Sequence, residues 1–402
     1  MKKPDVFLFF LAVAGITFIA LILRVWAVRK LPVDQDENVY LKAGSLYAQA
    51  IQQNSWIDLA RISYNNEHPS FVKLFYGVIL SRQKLTTVTK AAMPTYFIVP
   101  NGIIKGMLMT ARNVSMVFGV LAVTVLAVFN PVAGFFLAVH SFAIKYTSVA
   151  YLEAIPSLTS LLAVLAYLRW ITLVDRQPKP LAFANNLSIH FWLVLSGMAF
   201  GITLASKFEY SLIGTTIVVH YAWKTIREGY PLKKAILFMA GYGLVAAFFF
   251  FAGDIYLWSD PVHRLLGSIQ FHFQYQDRPK VKSAYPVWQI FYWFSKSASQ
   301  QDPLAIPHLG NSFLLSLDLP ISILAIIGLP RLFKKNLFFF LWLVLSLAFL
   351  LVWSAKWPQY TMLVVTPLCL SASEGFHMIV IDPLVRLINR FTLKTKALER
   401  KL

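Results

Sequence analysis

Asp34, Asp36 and Glu37 follow directly on an apolar run, and the polar stretch they open also carries Glu67, His68, Pro69, Ser70 and Lys73. A carboxylate held against an apolar surface has its charged form desolvated and its basicity raised, which suits it to take a proton from a hydroxyl. The same acids also fit a plainer reading, a solvated cap on the start of a helix. In Glu67-His68-Pro69-Ser70 the proline suits a first helical turn. His68 and Lys73 beside it offer nitrogen donors for an anionic headgroup, or equally a helix start with a snorkelling lysine. Further along, Glu153, Lys207 and Glu209 sit at the edges of apolar runs. Ionisable groups in such places mark a cavity or snorkel at an interface.

The elements that must position these groups are membrane helices. Of 402 residues, 57% are hydrophobic and 14% charged, and several apolar runs reach the ~20 residues that cross a ~30 Å hydrocarbon layer. The pattern implies an all-α integral membrane protein, a multi-span helical bundle of about ten spans forming one domain over 1–402. The spans fall near 7–28, 111–129, 131–149, 154–171, 189–206, 210–223, 235–257, 313–329, 336–353 and 359–379. The first is too long for a signal-peptide core and lacks a small-residue cleavage site, so it is expected to be retained. A net charge of +19 is compatible with nucleic-acid binding, but the cations cluster in short gaps between apolar runs, such as the gaps with Arg169, Arg176 and Lys179 and with Arg331, Lys334 and Lys335. That is the positive-inside arrangement, and it argues against a nucleic-acid partner. The lone Cys369 supports neither a disulfide framework nor a cysteine metal site.

With both termini on the basic, cytoplasmic side, two long segments fall outside: a first outer loop at 30–110 holding the acids, and a late outer loop at 258–312. Phe71, Leu74, Phe75, Val78 and Ile79 are spaced as one apolar face of a short interfacial helix. In the late loop, Leu265, Leu266, Ile269 and Phe273 form one face of a helix near 261–275, while Arg264, Ser268 and His272 form another. Arg61, Lys73, Arg82, Lys84, Lys90, Lys105 and Arg112 oppose the positive-inside trend. They suit either an anionic ligand presented from the membrane or the headgroups of membrane lipids. No internal repeat of the kind transporters use is visible.

Taken together, Asp36-Glu37 with Tyr40, Glu67-His68-Pro69-Ser70 with Lys73, Ala205-Ser206-Lys207-Phe208, Tyr256-Leu257-Trp258-Ser259-Asp260-Pro261 with Arg264, Phe271-His272-Phe273, and Lys356-Trp357-Pro358-Gln359-Tyr360 resemble a family. It is the protein O-mannosyltransferase-like glycosyltransferases of the C-type fold, relatives of the aminoarabinose transferases. The resemblance keeps motif order along most of the chain. It implies a polyprenyl-phosphate-linked sugar as donor, an acceptor of unspecified kind, and an active site on the outer face of the cell membrane. It gives Asp36 the role of base with Glu37 as its neighbour, and puts His68 near the donor phosphate. Lys207, Arg264 and His272 match basic positions of later motifs. Glu67, Lys73, Arg112 and Glu153 complete the expected substrate-binding set. Ser70 departs from the family's second proline, and the short late loop implies a prokaryotic-type enzyme.

Chemically, fixed cations in a water-poor pocket stabilise the departing phosphate while a base activates the acceptor, with inversion at the sugar. No cofactor is required, and no metal-ligand spacing demands a divalent ion, although Asp34, Asp36 and Glu153 leave room for one. The competing reading is a lipid or solute transporter, which needs ionisable groups deep within spans.

Overall fold

The computed structural model describes residues 3–83, 102–176, 187–295 and 317–389. Lys84, Lys90, Lys179, the residues after Asn389 and the beginning of the span expected at 313–329 lie outside the described residues. Those described contain helices and turns and no strand. In chain order the helices are α1 (Lys3–Lys30), α2 (Gln35–Gln52), α3 (Trp56–Arg61), α4 (Phe71–Leu80), α5 (Gly102–Phe129), α6 (Pro131–Val139), α7 (Ser141–Tyr146), α8 (Ala154–Asp175) and α9 (Leu187–Ser206). They continue with α10 (Ser211–Glu228), α11 (Leu232–Gly253), α12 (Pro261–Gln276), α13 (Pro279–Lys282), α14 (Gln289–Ser295), α15 (Asp318–Lys335), α16 (Leu337–Val352) and α17 (Met362–Phe376).

Among the described residues six helical stretches are long and apolar enough to cross a membrane: Val6–Lys30, Lys105–Phe129, Ala154–Asp175, Ile189–Ser206, Leu232–Gly253 and Pro358–Asn389. Helices α10, α15 and α16 run alongside them. Cross-links fix the two ends of the bundle. Lys224 pairs with Asp175 at 2.9 Å, and Arg331 and Lys335 pair with Glu374 at 2.8 and 3.0 Å, at one end. Asp34, Lys145, Glu153 and Lys207 gather at the other. The first, basic end is dominated by cations; the second, called acidic after Asp34, Asp36, Glu37, Glu153 and Glu209, mixes acids with cations such as Lys145 and Lys207.

The span expected at 131–149 is not one helix. Asn130 caps α6 by accepting from the Ala133 N–H at 3.0 Å, the helix stops at His140, and α7 adds only six residues. The chain nevertheless passes from the basic end, where Ser373 donates to Asn130 at 3.0 Å, to the acidic end at Lys145. Non-helical backbone is tolerated at membrane depth only when protein surrounds it, and Ser141, Phe142, Ser148, Ala150 and Leu152 are all buried. Apolar periodicity sees the crossing but not the break.

Helices α15 and α17 meet backbone to backbone. A Cβ on Gly328 falls 1.9 Å from the Ser371 carbonyl oxygen, and one on Gly375 falls 2.0 Å from that of Leu324. Ser371 Oγ donates across the same contact to the Ala325 carbonyl at 2.6 Å. Small residues let membrane helices approach this closely and interhelical hydrogen bonds then hold them.

Helix α12 turns its apolar face outward: Leu266, Ile269 and Phe273 are exposed while Ser268 is buried. Lipid is as apolar as a protein core, so that greasy face has no need to turn inward and the polar face is packed by hydrogen bonds instead. Helix α4 is apolar on both sides: Val72, Lys73, Tyr76, Gly77 and Leu80 are its deepest residues, and of the row Phe71, Leu74, Phe75, Val78 and Ile79 only Val78 is exposed.

Segments 31–83 and 254–295 share the acidic end, where Asn66 Nδ2 donates to the Tyr256 hydroxyl at 2.8 Å. Single cysteines at exposed Ser63 and Ser283 are expected to react with an impermeant thiol reagent from one side, and one at exposed Glu228 from the other. The native thiol, Cys369, is buried and gives little background. Labelling of positions 63 and 228 from the same side would contradict this chain path.

Candidate active site

The acidic site is built from the turn between α1 and α2. Asp34 and Glu37 form a reciprocal capping box at the start of α2, which fixes the first turn of the helix and with it the position of Asp36. Glu37 is fully buried. Its carboxylate accepts from Arg112 Nε at 2.7 Å and a terminal Arg112 nitrogen at 2.5 Å, from the Ala150 N–H at 2.7 Å and from the Asp34 N–H at 2.9 Å. Arg112 in turn donates to the carbonyls of Val28 and Leu31, both at 2.9 Å, and Pro32 at 2.8 Å. Every acceptor position of Glu37 and every donor of Arg112 is therefore occupied. The geometry gives Glu37 a positioning role in place of the catalytic one expected from its neighbourhood to Asp36. It likewise makes Arg112 a clamp on the chain and not a ligand for phosphate.

Asp36, one residue earlier, is placed differently. It is half-buried and, among the described residues, has no ion pair. Burial, with the charges of Asp34 and Glu153 nearby, raises its pKa to about 6, despite the opposing pull of Lys207 and of the Tyr151 hydroxyl. Tyr151 donates to Asp34, whose other oxygen lies 3.8 Å from Lys145. Around Asp36 stand the buried rings of Tyr40 and Tyr151, 5.7 Å apart and edge to face.

Across the site Lys207 donates to Glu153 in a buried ion pair and sits 5.2 Å from the Tyr360 ring. The second Glu153 oxygen and both Glu209 oxygens are buried without a hydrogen bond among the described residues. Incompletely satisfied buried carboxylates are rare enough to mark a functional site. Tyr360, whose hydroxyl feels the Glu209 charge, came up in motif matching without a role, and Glu209 came up as a charge at the edge of an apolar run. Tyr151 was not singled out at all. Its only sequence signal is its place just before Glu153.

The loop before α4 forms the third wall. Lys73 is buried and donates to the carbonyls of Asn65 and, at 2.7 Å, His68, so it staples the loop rather than reaching outward. Burial pulls its pKa down to about 8. Glu67 accepts from Asn65 Nδ2 at 2.7 Å, and its backbone carbonyl accepts from His272 Nε2 at 2.9 Å. The His68 and His272 rings lie 5.3 Å apart. Burial, together with the positive surroundings of His272, Lys207 and Lys73, holds His68 well below the usual histidine range, so its ring is neutral. Its Nδ1 is buried with no partner among the described residues. Ser70 answers the missing second proline: its N–H and Oγ both donate to Asp254, at 3.0 and 2.6 Å. A proline has no N–H to give there.

Arg264 donates to the carbonyls of Ala60 and Tyr256, both at 2.6 Å, and stacks over Tyr256. Like Arg112 and Lys73 it is engaged by backbone oxygens, in its case through a single terminal nitrogen. The structure thus brings Asp36, Glu153, Lys207, His68 and His272 to one site. Glu37, Arg112, Lys73 and Arg264 brace it. No group of three or more His, Cys, Asp or Glu side chains is disposed to hold a metal ion among the described residues.

No family model and no curated protein matches the sequence. Solved structures do match the fold. ArnT from Cupriavidus metallidurans bound to undecaprenyl phosphate superposes with a TM-score of 0.54 at 13% identity, covering 99% of this chain and 64% of that one. Its apo state gives the same TM-score at 14% identity, over 98% of this chain and 64% of that one. The archaeal oligosaccharyltransferase AglB from Archaeoglobus fulgidus, in complex with an inhibitory peptide and a dolichol-phosphate, gives 0.54 at 11% identity over 97% of this chain and 52% of that one. The chain has the GT-C fold. It spans less than two thirds of the length of these GT-C proteins, and at such low identity the match speaks for the fold alone. The GT-C assignment agrees with the resemblance read from the motifs.

Proposed function

We propose that this chain is a membrane glycosyltransferase that moves a sugar from a polyprenyl-phosphate carrier to an acceptor hydroxyl, with Asp36 as the general base. The observation that carries the proposal is the contrast at the start of α2. Glu37 is locked in four hydrogen bonds, whereas Asp36 beside it has no ion pair among the described residues and a pKa raised to about 6. A base is most useful when its pKa lies near the working pH, and Asp36 has been brought there by burial and by neighbouring carboxylates.

In this reading the acceptor hydroxyl approaches Asp36, which takes its proton as the oxygen attacks the anomeric carbon and the phosphate leaves from the opposite side. One displacement gives inversion. The leaving phosphate lies toward Lys207, whose fixed charge stabilises the developing anion without a metal, and toward His68, whose neutral ring offers one N–H. The fold relatives support the donor class, since ArnT is bound to undecaprenyl phosphate and AglB to a dolichol-phosphate. The motif resemblance reaches mannosyl and aminoarabinosyl transferases alike and names no single sugar. Acceptor choice rests on the site's walls. With the cation-rich end facing the cytoplasm, the site lies on the extracytoplasmic face of the cell membrane. The transporter reading loses ground because the titratable groups around Asp36, Glu153 and Lys207 gather at one end of the bundle.

Purified protein incubated with a panel of polyprenyl-phosphate sugars is expected to release polyprenyl phosphate from at least one. Absence of release or transfer across the panel, with folded protein, contradicts the proposal. The pH dependence follows from Asp36. Its ionised form is the base and its pKa is raised, so activity is present above pH 6 and lost as pH falls through about 6. A flat profile between pH 5 and pH 8, on the order of the interval a single carboxylate at that pKa must titrate across, removes Asp36 from the role.

A further inference from the structure

On the side of the bundle toward the basic end opens a cavity of about 1270 Å³, whose inner end at Thr159 and Ile202 lies within two helical turns of Glu153 and Lys207. Ordinary small-molecule pockets hold ~300–1,000 Å³, so this one is large. Its walls come from α5, α8, α9 and α10, with the turn between α15 and α16 at its mouth. The body is apolar, lined by Val125, Leu162, Leu165, Leu195, Met198 and Ile202. Along α8 it runs from Thr159 to Thr172, which at 1.5 Å per residue is roughly 20 Å, slightly more than the ~15 Å depth of one leaflet's hydrocarbon. The deep end is closed where Thr159 and Thr203 share a hydrogen bond of 2.8 Å.

The mouth is one-signed. Arg169, Lys224, Arg227, Lys334 and Lys335 line it, and no acidic residue does. Lys224 and Lys335 are paired with Asp175 and Glu374, but Arg169, Arg227 and Lys334 have no ion pair among the described residues. Trp223 stands at the same rim with Arg227 stacked on it at 4.9 Å, the place an amphipathic ring takes at a membrane interface. Several wall residues, Leu162, Val128 and Phe333 among them, are exposed, so the trough opens sideways to lipid.

We infer that this trough is a binding site for an anionic phospholipid of the leaflet at the basic end, with acyl chains along α8 and the phosphate between Arg169 and Lys334. Length, apolarity and lateral opening match acyl chains, and a cationic mouth at headgroup level selects a negative lipid over a zwitterionic one. The inference does not depend on what is transferred at the acidic site.

The test uses full-length protein in detergent and native mass spectrometry with dioleoyl phosphatidylglycerol, dioleoyl phosphatidylcholine or undecaprenyl phosphate added. Phosphatidylglycerol is expected to be retained in preference to phosphatidylcholine. The double variant R169Q/K334Q should weaken its retention by roughly thirtyfold, each cation at a membrane surface contributing about a factor of five. Leu162→Trp, at a wall position open to lipid, narrows the trough without touching the mouth and should also reduce retention. Equal retention of phosphatidylcholine overturns the inference, as does unchanged phosphatidylglycerol binding in both folded variants. Displacement of phosphatidylglycerol by a lower concentration of undecaprenyl phosphate would overturn it too, assigning the trough to the carrier lipid.

Discussion

Asp36→Asn is expected to slow sugar transfer by roughly 10²–10⁴-fold, the usual contribution of a positioned acid–base group, while leaving donor affinity nearly unchanged. Asparagine keeps the volume and two polar atoms but cannot take the acceptor's proton. The protein should remain folded, because Asp36 has no ion pair to lose and the capping box of α2 belongs to Asp34 and Glu37. Lys207→Ala is the informative contrast. Its ammonium offsets the Glu153 charge and lies toward the leaving phosphate, so donor binding should weaken along with transfer. Measuring donor affinity and single-turnover transfer on both variants separates the two roles. An Asp36→Asn protein that transfers at a near-normal rate would sink the assignment of the base, and no other carboxylate of α2 can replace it, since Glu37 is already held by four donors.

The fold class was legible because hydrophobic length is an unambiguous signal. The positions of α1, α8, α9 and α11 follow the apolar runs closely, while α5 ends where its run does but begins nine residues earlier, at Gly102 rather than 111. The exceptions have identifiable physical causes. The crossing at 131–149 breaks at His140, where His140, Ser141 and Lys145 interrupt the apolar run, and surrounding protein makes the break tolerable. The interfacial rows expected in α4 and α12 are the shallower sides of those helices, with Val78, Leu266, Ile269 and Phe273 exposed, although period alone does not say whether protein or lipid lies against a greasy face.

The site was legible as a set of residue types and not as a set of roles. Asp36 and Glu37 are neighbours of the same chemistry, and sequence alone ranks them together. What separates them is that successive helical residues point about 100° apart, which sends Glu37 into Arg112 and the Ala150 N–H and leaves Asp36 beside Tyr151, Glu153 and Lys207. The cations follow the same pattern. Lys73, Arg112 and Arg264 all looked like phosphate ligands, and all three reach backbone carbonyls of the loops that form the site. Irregular loops beside a membrane have many unpaired carbonyls, and a long cation that bridges several of them fixes a shape that no helix or sheet ladder provides. Cations in such loops are thus as much the scaffold of the site as its working groups.

That scaffold role gives the largest expected stability effect, at Arg112. Arg112→Leu removes five donated hydrogen bonds and leaves the fully buried Glu37 carboxylate without its cation. Breaking a buried pair by deleting one partner costs about 3–5 kcal/mol, because the remaining charge stays desolvated and uncompensated. The consequence is local as well as global. Arg112 ties α5 to the carbonyls of Val28, Leu31 and Pro32 and, through Glu37, to Ala150, so the start of α2 is expected to loosen and Asp36 to lose its placement. Arg112→Lys should rescue little, since one ammonium has three donors and none of the planar fork that the two Glu37 oxygens accept. The double variant Arg112→Leu, Glu37→Leu should recover part of the loss by removing the orphaned charge. The measurement is the unfolding midpoint in detergent for the three variants. If Arg112→Leu unfolds with a midpoint close to that of the unmodified protein, the Arg112–Glu37 pair is not what holds the base in place. Low activity without loss of stability in that variant would instead return Arg112 to the substrate-binding set.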